Sequence, residues 1–243
     1  GVLTAECITV NDPVVARRDY LTATYDITTV ADVTEAAKKA AIVIIAVTPV
    51  HIPVVTKVLK PLINPQTVVL SIAAGITVDT LTEQLGNDKK IVRVVPNTLG
   101  QSGYGYSAYY LNELCSEQDK CDVEELLRAL GQLMPITENM FNMFSSFSNV
   151  GPMWLYKTLE ALIDAGVHIG LNRDNARNIV LMNMLGVATV LNETGEHPAV
   201  KVDQMASPGG VTIEACKTLQ EHGFSPAIMN SVSACFDKTN SLE

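Results

Sequence analysis

The chain has 243 residues, 47% of them hydrophobic, enough for a real core in one large domain or two smaller ones. A formal charge of −9, with no Lys/Arg run longer than a pair, argues against a nucleic-acid partner, because neutralising phosphates needs a concentrated basic face. The longest apolar runs, such as residues 40–47, are far shorter than the roughly 20 residues needed to cross a bilayer, so no membrane partner is expected.

Along residues 1–100, short β-branched runs alternate with helix-like segments. Residues 7–12 (CITVND), 41–47 (AIVIIAV), 67–73 (TVVLSIA) and 90–97 (KIVRVVPN) read as strands buried on both faces. Residues 30–40, 54–62 and 78–86 between them have helical composition or spacing. Strand, helix, strand in that order predicts a parallel sheet covered on both faces, a doubly wound α/β plan whose ligands sit at the strand C-terminal ends. Those ends carry VTP, AAG and PNT, small or turn-forming residues that let a flat ligand lie close.

After Phe144 the strand signal disappears. Helices are expected over residues 153–171, 175–192, a short stretch before Met205, 213–222 and 226–240. In the first of these, Leu155, Leu159, Leu162, Ile163 and Val167 form one stripe. Residues 176–191 (ARNIVLMNMLGVATVL) are apolar nearly all round, so that helix must be enclosed by partners. A helical half of this size has little protein with which to do so, and a second copy of the chain is the expected cover, the alternative being a single-chain bundle with that helix at its centre. Five cysteines without C-x-x-C spacing read as reduced thiols of a cytoplasmic protein. The N-terminus carries no secretory pattern, and the four histidines show no metal-ligand spacing, so no metal is expected.

The turn SPGGVTIEA at residues 207–215 opens the fourth of these helices. Unpaired N–H groups at such an opening, with the helix dipole, form a socket for an anion, and Gly209 and Gly210 let the backbone approach it. An ordinary loop before a helix reads the same way. A doubly wound nucleotide domain normally begins with a strand running into G-x-G-x-x-G; here the first strand ends at VND and is followed by PVVARRDYL. The chain is therefore expected to lack the first strand and its glycine loop.

With SIAAGIT (71–77), VRVVPNT (92–98), LIDAGVHIGLNRDNA (162–176) and GEHPAVKVDQMASPGGVTIEA (195–215) in order, the sequence resembles the pyrroline-5-carboxylate reductase family. His197 and Pro198, with SPGG-x-T beginning nine residues after the proline, are the specific part. The resemblance implies an N-terminally truncated Rossmann-like domain over residues 1–145 and an all-helical dimerisation and substrate domain over 146–243. It also implies reduction of 1-pyrroline-5-carboxylate, a carboxylate-bearing imine, to L-proline with NADP or NAD as cofactor. Carried over by motif, the substrate carboxylate falls to Ser207, Gly209, Gly210, Val211 and Thr212, with Thr212 also the catalytic hydroxyl near the imine nitrogen. The dinucleotide falls to Asn11, to Ala46, Val47, Thr48 and Pro49, to Ala73, Ala74 and Gly75, and to Pro96, Asn97 and Thr98. Asp12 is placed to meet a ribose, and Arg17 or Arg18 a 2′-phosphate; alternatively Asp12 caps a helix and the arginines are solvated.

Several positions depart from the family pattern. Thr48 stands where A-V-K-P has lysine, Val33 where asparagine is common, Leu99 and Gly100 follow PNT, and Asn149 and Val150 replace a small pair. Trp154 stands where tyrosine is usual. Two other readings stay open: a non-catalytic dimeric relative that keeps the carboxylate turn without the cofactor, and a dehydrogenase of a hydroxy acid using His168 or Lys157.

Overall fold

The structure, a computed structural model, describes residues 2–241. The chain forms two compact units, the first running to Asn149 and the second beginning at Val150.

In the first unit the strands form two sheets. β1 (Thr9–Asn11) pairs in parallel with β2 (Thr28–Val30), and β3 (Ile42–Ile45), β4 (Val68–Ser71), β5 (Lys90–Val95), β6 (Gly105–Leu111) and β7 (Gly131–Pro135) pair in that order. All pairs in the larger sheet are parallel except β5 with β6. The doubly wound α/β class is therefore present, with one antiparallel junction and with β1 and β3 each keeping one unpaired edge.

The core lies on both faces of β4 and β5, whose alternate residues feed two clusters. Helices α2 (Val33–Ala37), α3 (Ile52–Leu59) and α4 (Val78–Leu85) bury Ala37, Ile52, Leu59, Leu81 and Leu85 against Ile45, Val69 and Ile91. On the other face α5 (Glu117–Arg128) buries Val123 and Leu127 against Leu70, Val92, Val94 and Tyr109. Each fully buried Leu or Ile contributes about 1.5–3 kcal/mol relative to exposure. Local signals set the helix starts. Thr77 Oγ1 accepts the Thr80 N–H at 3.1 Å to open α4, and Ser116 and Asp119 form a capping box for α5.

Three expectations need correction. Residues 30–40 do not form one helix: β2 ends at Val30, and only Val33–Ala37 is helical, started by Asp32 accepting the Thr34 N–H. A helix α1 (Val15–Tyr25) stands before β2. The strands at 7–12 and 41–47 are not buried on both faces; Ile44, next to the free edge of its sheet, is 50% exposed.

The second unit is helical throughout: α7 (Gly151–His168), α8 (Arg173–Thr194), α9 (Pro198–Met205), α10 (Val211–Glu221) and α11 (Phe224–Asn240), while α6 (Phe141–Phe144) and a π-helical turn (Ser145–Asn149) end the first unit. Asn172 caps α8 by accepting the Asn175 N–H at 2.8 Å, and Gly195 ends it at φ +64°. α7 and α8 approach closely where Gly166 faces Ala176. Trp154 Nε1 donates to Ser231 Oγ at 2.8 Å, linking α7 to α11.

Among the described residues of this unit only Pro152 and Ala176 are buried. Leu155 and Leu162, expected on an inward stripe, are about half exposed, as are Ile179, Met182, Leu185 and Val187 of α8. One protomer therefore does not enclose α8, which fits a helix that needs covering by another chain.

Candidate functional site

The sequence-predicted cofactor residues mostly follow adjacent parallel strands. Ala46, Val47, Thr48 and Pro49 follow β3, Ala73, Ala74 and Gly75 follow β4, and Pro96, Asn97 and Thr98 follow β5, so all ten share one end of the larger sheet. Asn11 is not joined to them by strand pairing; it ends β1 in the smaller sheet, where its Nδ2 donates to the Val30 carbonyl at 3.3 Å.

This sheet end suits a dinucleotide. Gly75 takes φ +72° and has open space where a side chain would stand, while Ala73 is buried, so the backbone of this loop is accessible to a flat, extended ligand. Ser71 Oγ accepts the Ala73 N–H at 3.3 Å, fixing the loop entry. Asn97 is committed to the protein. Its Oδ1 accepts from the Leu99 and Tyr106 N–H groups, and its Nδ2 donates to Ser148 Oγ at 3.5 Å, leaving one amide N–H and the backbone as what it offers a ligand. Thr48 Oγ1 is hydrogen-bonded to His51 Nδ1 at 2.8 Å.

At the β1 end, Asp12 Oδ1 accepts the Val14 N–H at 2.8 Å just before α1, and the Asp12 carbonyl accepts from Arg18 Nη1 at 2.6 Å. Arg17 lies over the Tyr20 ring, 5.2 Å from its centroid. Asp12 thus closes a turn ahead of α1 and does not cap it, since the N-cap is Val14 and no side chain bonds the helix start; both arginines have partners within the protein.

In the second unit, residues 207–210 form a turn closed by the Gly210 N–H donating to the Ser207 carbonyl at 3.0 Å. Gly209 sits at φ +69°, the position after proline at which such a turn requires glycine. Gly210 is the N-cap of α10 and no side chain caps the helix there. The N–H groups at the start of α10, those of Val211 and Thr212 among them, therefore lack intrahelical acceptors beside a half-buried Thr212. His197 opens α9 just upstream, its Nδ1 accepting the Ala199 N–H at 3.2 Å.

Burial first, and then the Asp119 charge, push the Cys115 thiol up to about 11, the opposite of an activated nucleophile.

Sequence reasoning missed one buried polar centre in the first unit. Arg93 of β5, 3% exposed, donates through Nη1 to Glu138 Oε1 at 3.0 Å, and its guanidinium lies 4.1 Å from the Phe141 ring centroid. An arginine inside an otherwise apolar strand demands a carboxylate partner, but the sequence does not say which one.

Residues 138–242 match the family described as pyrroline-5-carboxylate reductase dimerisation, and residues 1–75 match the family described as NADP oxidoreductase coenzyme F420-dependent. The chain is 36% identical over 209 residues to the pyrroline-5-carboxylate reductase of Escherichia coli (strain K12), covering 86% of this chain and 77% of that one. Among solved structures it is similar to a pyrroline-5-carboxylate reductase from Coxiella burnetii, with a TM-score of 0.90, 26% identity and coverage of 98% and 89%. The Plasmodium falciparum pyrroline carboxylate reductase with NADP bound gives a TM-score of 0.81 at 29% identity, covering 90% of this chain and 83% of that one.

Proposed function

Because the chain belongs to the pyrroline-5-carboxylate reductase family, we propose that it reduces 1-pyrroline-5-carboxylate to L-proline with NADPH or NADH, as a homo-oligomer. The observation that carries the reading is the turn at Ser207–Thr212, where a helix opens with free N–H donors and two glycines. It lets an acidic protein hold a small carboxylate with dipoles instead of lysine or arginine.

In this reading Ser207, Gly209, Gly210 and Val211 bind the carboxylate. Thr212, at the second helical position, is the catalytic residue: its hydroxyl orients the ring and assists proton delivery at the imine nitrogen. Ala46 to Pro49, Ala73 to Gly75 and Pro96 to Thr98 hold the dinucleotide along one sheet end, with Asn11 at the adenosine side. The bound dinucleotide supplies the hydride. A protonated imine is already electrophilic, so what the residues must do is align it; positioning of this kind accounts for about 7–11 kcal/mol of barrier in well-oriented systems. The dinucleotide is assigned to residues 1–145, and substrate binding with self-association to residues 146–243. Five cysteines without C-x-x-C spacing fit a reducing cytoplasm.

The test is oxidation of NADPH or NADH dependent on pyrroline-5-carboxylate. Thr212→Ala is expected to lower kcat/KM about 100-fold, the usual size of a lost proton-transfer contribution. No turnover together with no dinucleotide binding would point instead to a non-catalytic relative that keeps the carboxylate turn without the cofactor.

A further inference from the structure

The Arg93–Glu138 pair does more than neutralise a buried charge. Glu138 Oε1 accepts from two donors, Arg93 Nη1 at 3.0 Å and the backbone N–H of Val78 at 2.9 Å, and Val78 is the first residue of α4. Arg93 Nε and Glu138 Oε2 are buried, and neither has a hydrogen-bond partner among the described residues. A carboxylate serving only to pair an arginine would normally engage it with both oxygens in a bidentate fork. Here the fork is given up, and one oxygen is shared between the sheet and the start of a helix.

What that oxygen joins is specific. Arg93 lies opposite Ser71 in the β4–β5 register, and the connection from Ser71 to Val78 contains Ala73, Ala74 and Gly75. Ser71 fixes the entry of this loop through the Ala73 N–H, and Glu138 fixes its exit through the Val78 N–H. Three residues beyond Arg93, the same strand delivers Pro96, Asn97 and Thr98. Glu138 also begins the segment containing Phe141, which covers the guanidinium, and Ser148, which accepts from Asn97. One ion pair therefore ties together both of these loops at the sheet end.

We propose that Arg93 and Glu138 are positioning residues for the dinucleotide. They set the Ala73–Gly75 loop against the Pro96–Thr98 loop and so control cofactor affinity without touching the cofactor. The inference rests on the reading of those loops as the dinucleotide site.

The test uses the full chain and its Glu138→Ala, Glu138→Gln, Glu138→Asp and Arg93→Lys variants. NADPH affinity is measured by fluorescence titration, the KM values for NADPH and imine separately, and amide exchange across residues 73–80. In E138A the NADPH Kd and KM rise about tenfold, the size of one lost charged hydrogen bond, while the imine KM stays within about twofold and the Val78 amide exchanges faster. E138Q, whose amide oxygen still accepts from Val78, rises less than about threefold. E138D keeps the charge but shortens the reach, and behaves like E138A.

A purely structural role would lower the folded fraction and kcat and leave the Kd and KM of the folded enzyme unchanged. That result in E138D and R93K overturns the proposal, and these two carry the test if E138A fails to fold. Failure of the wild type to bind either NADPH or NADH defeats the underlying site reading. A wild type that binds, with E138D binding equally well, defeats this inference alone.

Discussion

Replacing Gly210 by alanine puts the carboxylate socket to a graded test. A Cβ at this position would stand 2.3 Å from Ser207 Oγ, 3.2 Å from the Ser207 carbonyl oxygen and 3.5 Å from Ser207 Cβ. The backbone angle is no obstacle, since φ is −80°; the contacts are. Rotation about χ1 moves the hydroxyl away, but the carbonyl is backbone and already accepts the Gly210 N–H that closes the turn. The turn must therefore open by a few tenths of an ångström, and the Val211 and Thr212 N–H groups move with it. Loss of one charge-assisted hydrogen bond is worth about 1.5–3 kcal/mol, or roughly 10- to 150-fold in the imine KM. Since the turn is largely exposed, the cost to stability should stay within about 1 kcal/mol. Steady-state kinetics at saturating dinucleotide measure the effect, and Ser207→Ala combined with Gly210→Ala separates the hydroxyl contact from the carbonyl contact. If the imine KM of G210A lies within about twofold of wild type, the opening of α10 does not hold the acid.

Three further outcomes are expected. Leu185→Asp, placed on the exposed apolar face of α8, should weaken self-association about 100-fold or more, read by light scattering across a dilution series. Burial pushes the Asp119 carboxyl upward, but hydrogen bonds from Lys90 and Ser116 outweigh it and hold the group below the usual carboxylate range. Its stabilisation is therefore present above the unfolded pKa of about 3.9 and lost as pH falls through the lower folded value. Asp119→Asn should cost about 3 kcal/mol in urea unfolding at neutral pH, because Lys90 and Asp119 are both largely buried, and the gap to wild type should narrow in acid. Amides of β1 and β3, each with one unpaired edge, should exchange about 100-fold faster than those of β4 and β5, which a hydrogen-exchange map would show.

The parts of the fold legible in the sequence are those where one residue type is demanded by burial. Residues 67–73 and 90–97 read as strands because β4 and β5 are covered on both faces and tolerate little but β-branched residues. The all-round apolar character of α8 was equally plain, and a single chain leaves Ile179, Met182, Leu185 and Val187 of that helix exposed. The β2 strand was not legible: three residues ending at Val30 carry too little pattern and merge with the helix-like run after them. β6 and β7 escaped for another reason. Gly105–Leu111 mixes tyrosines with small residues, and its antiparallel pairing breaks the strand–helix–strand rhythm on which the reading relied. At the site, the loops announced themselves through small residues at strand ends and the substrate turn through Pro and Gly. The side-chain commitments of Asn97 and Glu138 did not, since their partners lie 51 and as many as 60 residues away in sequence.

The near-bare helices of the second unit have a consequence for how this protein exists at all. With only two of its described residues buried in five helices, that unit gains its stability from the copy that covers it, which links folding to assembly by mass action. Its melting temperature should climb with protein concentration, and cells that make little of it would keep a correspondingly larger share exposed to proteases.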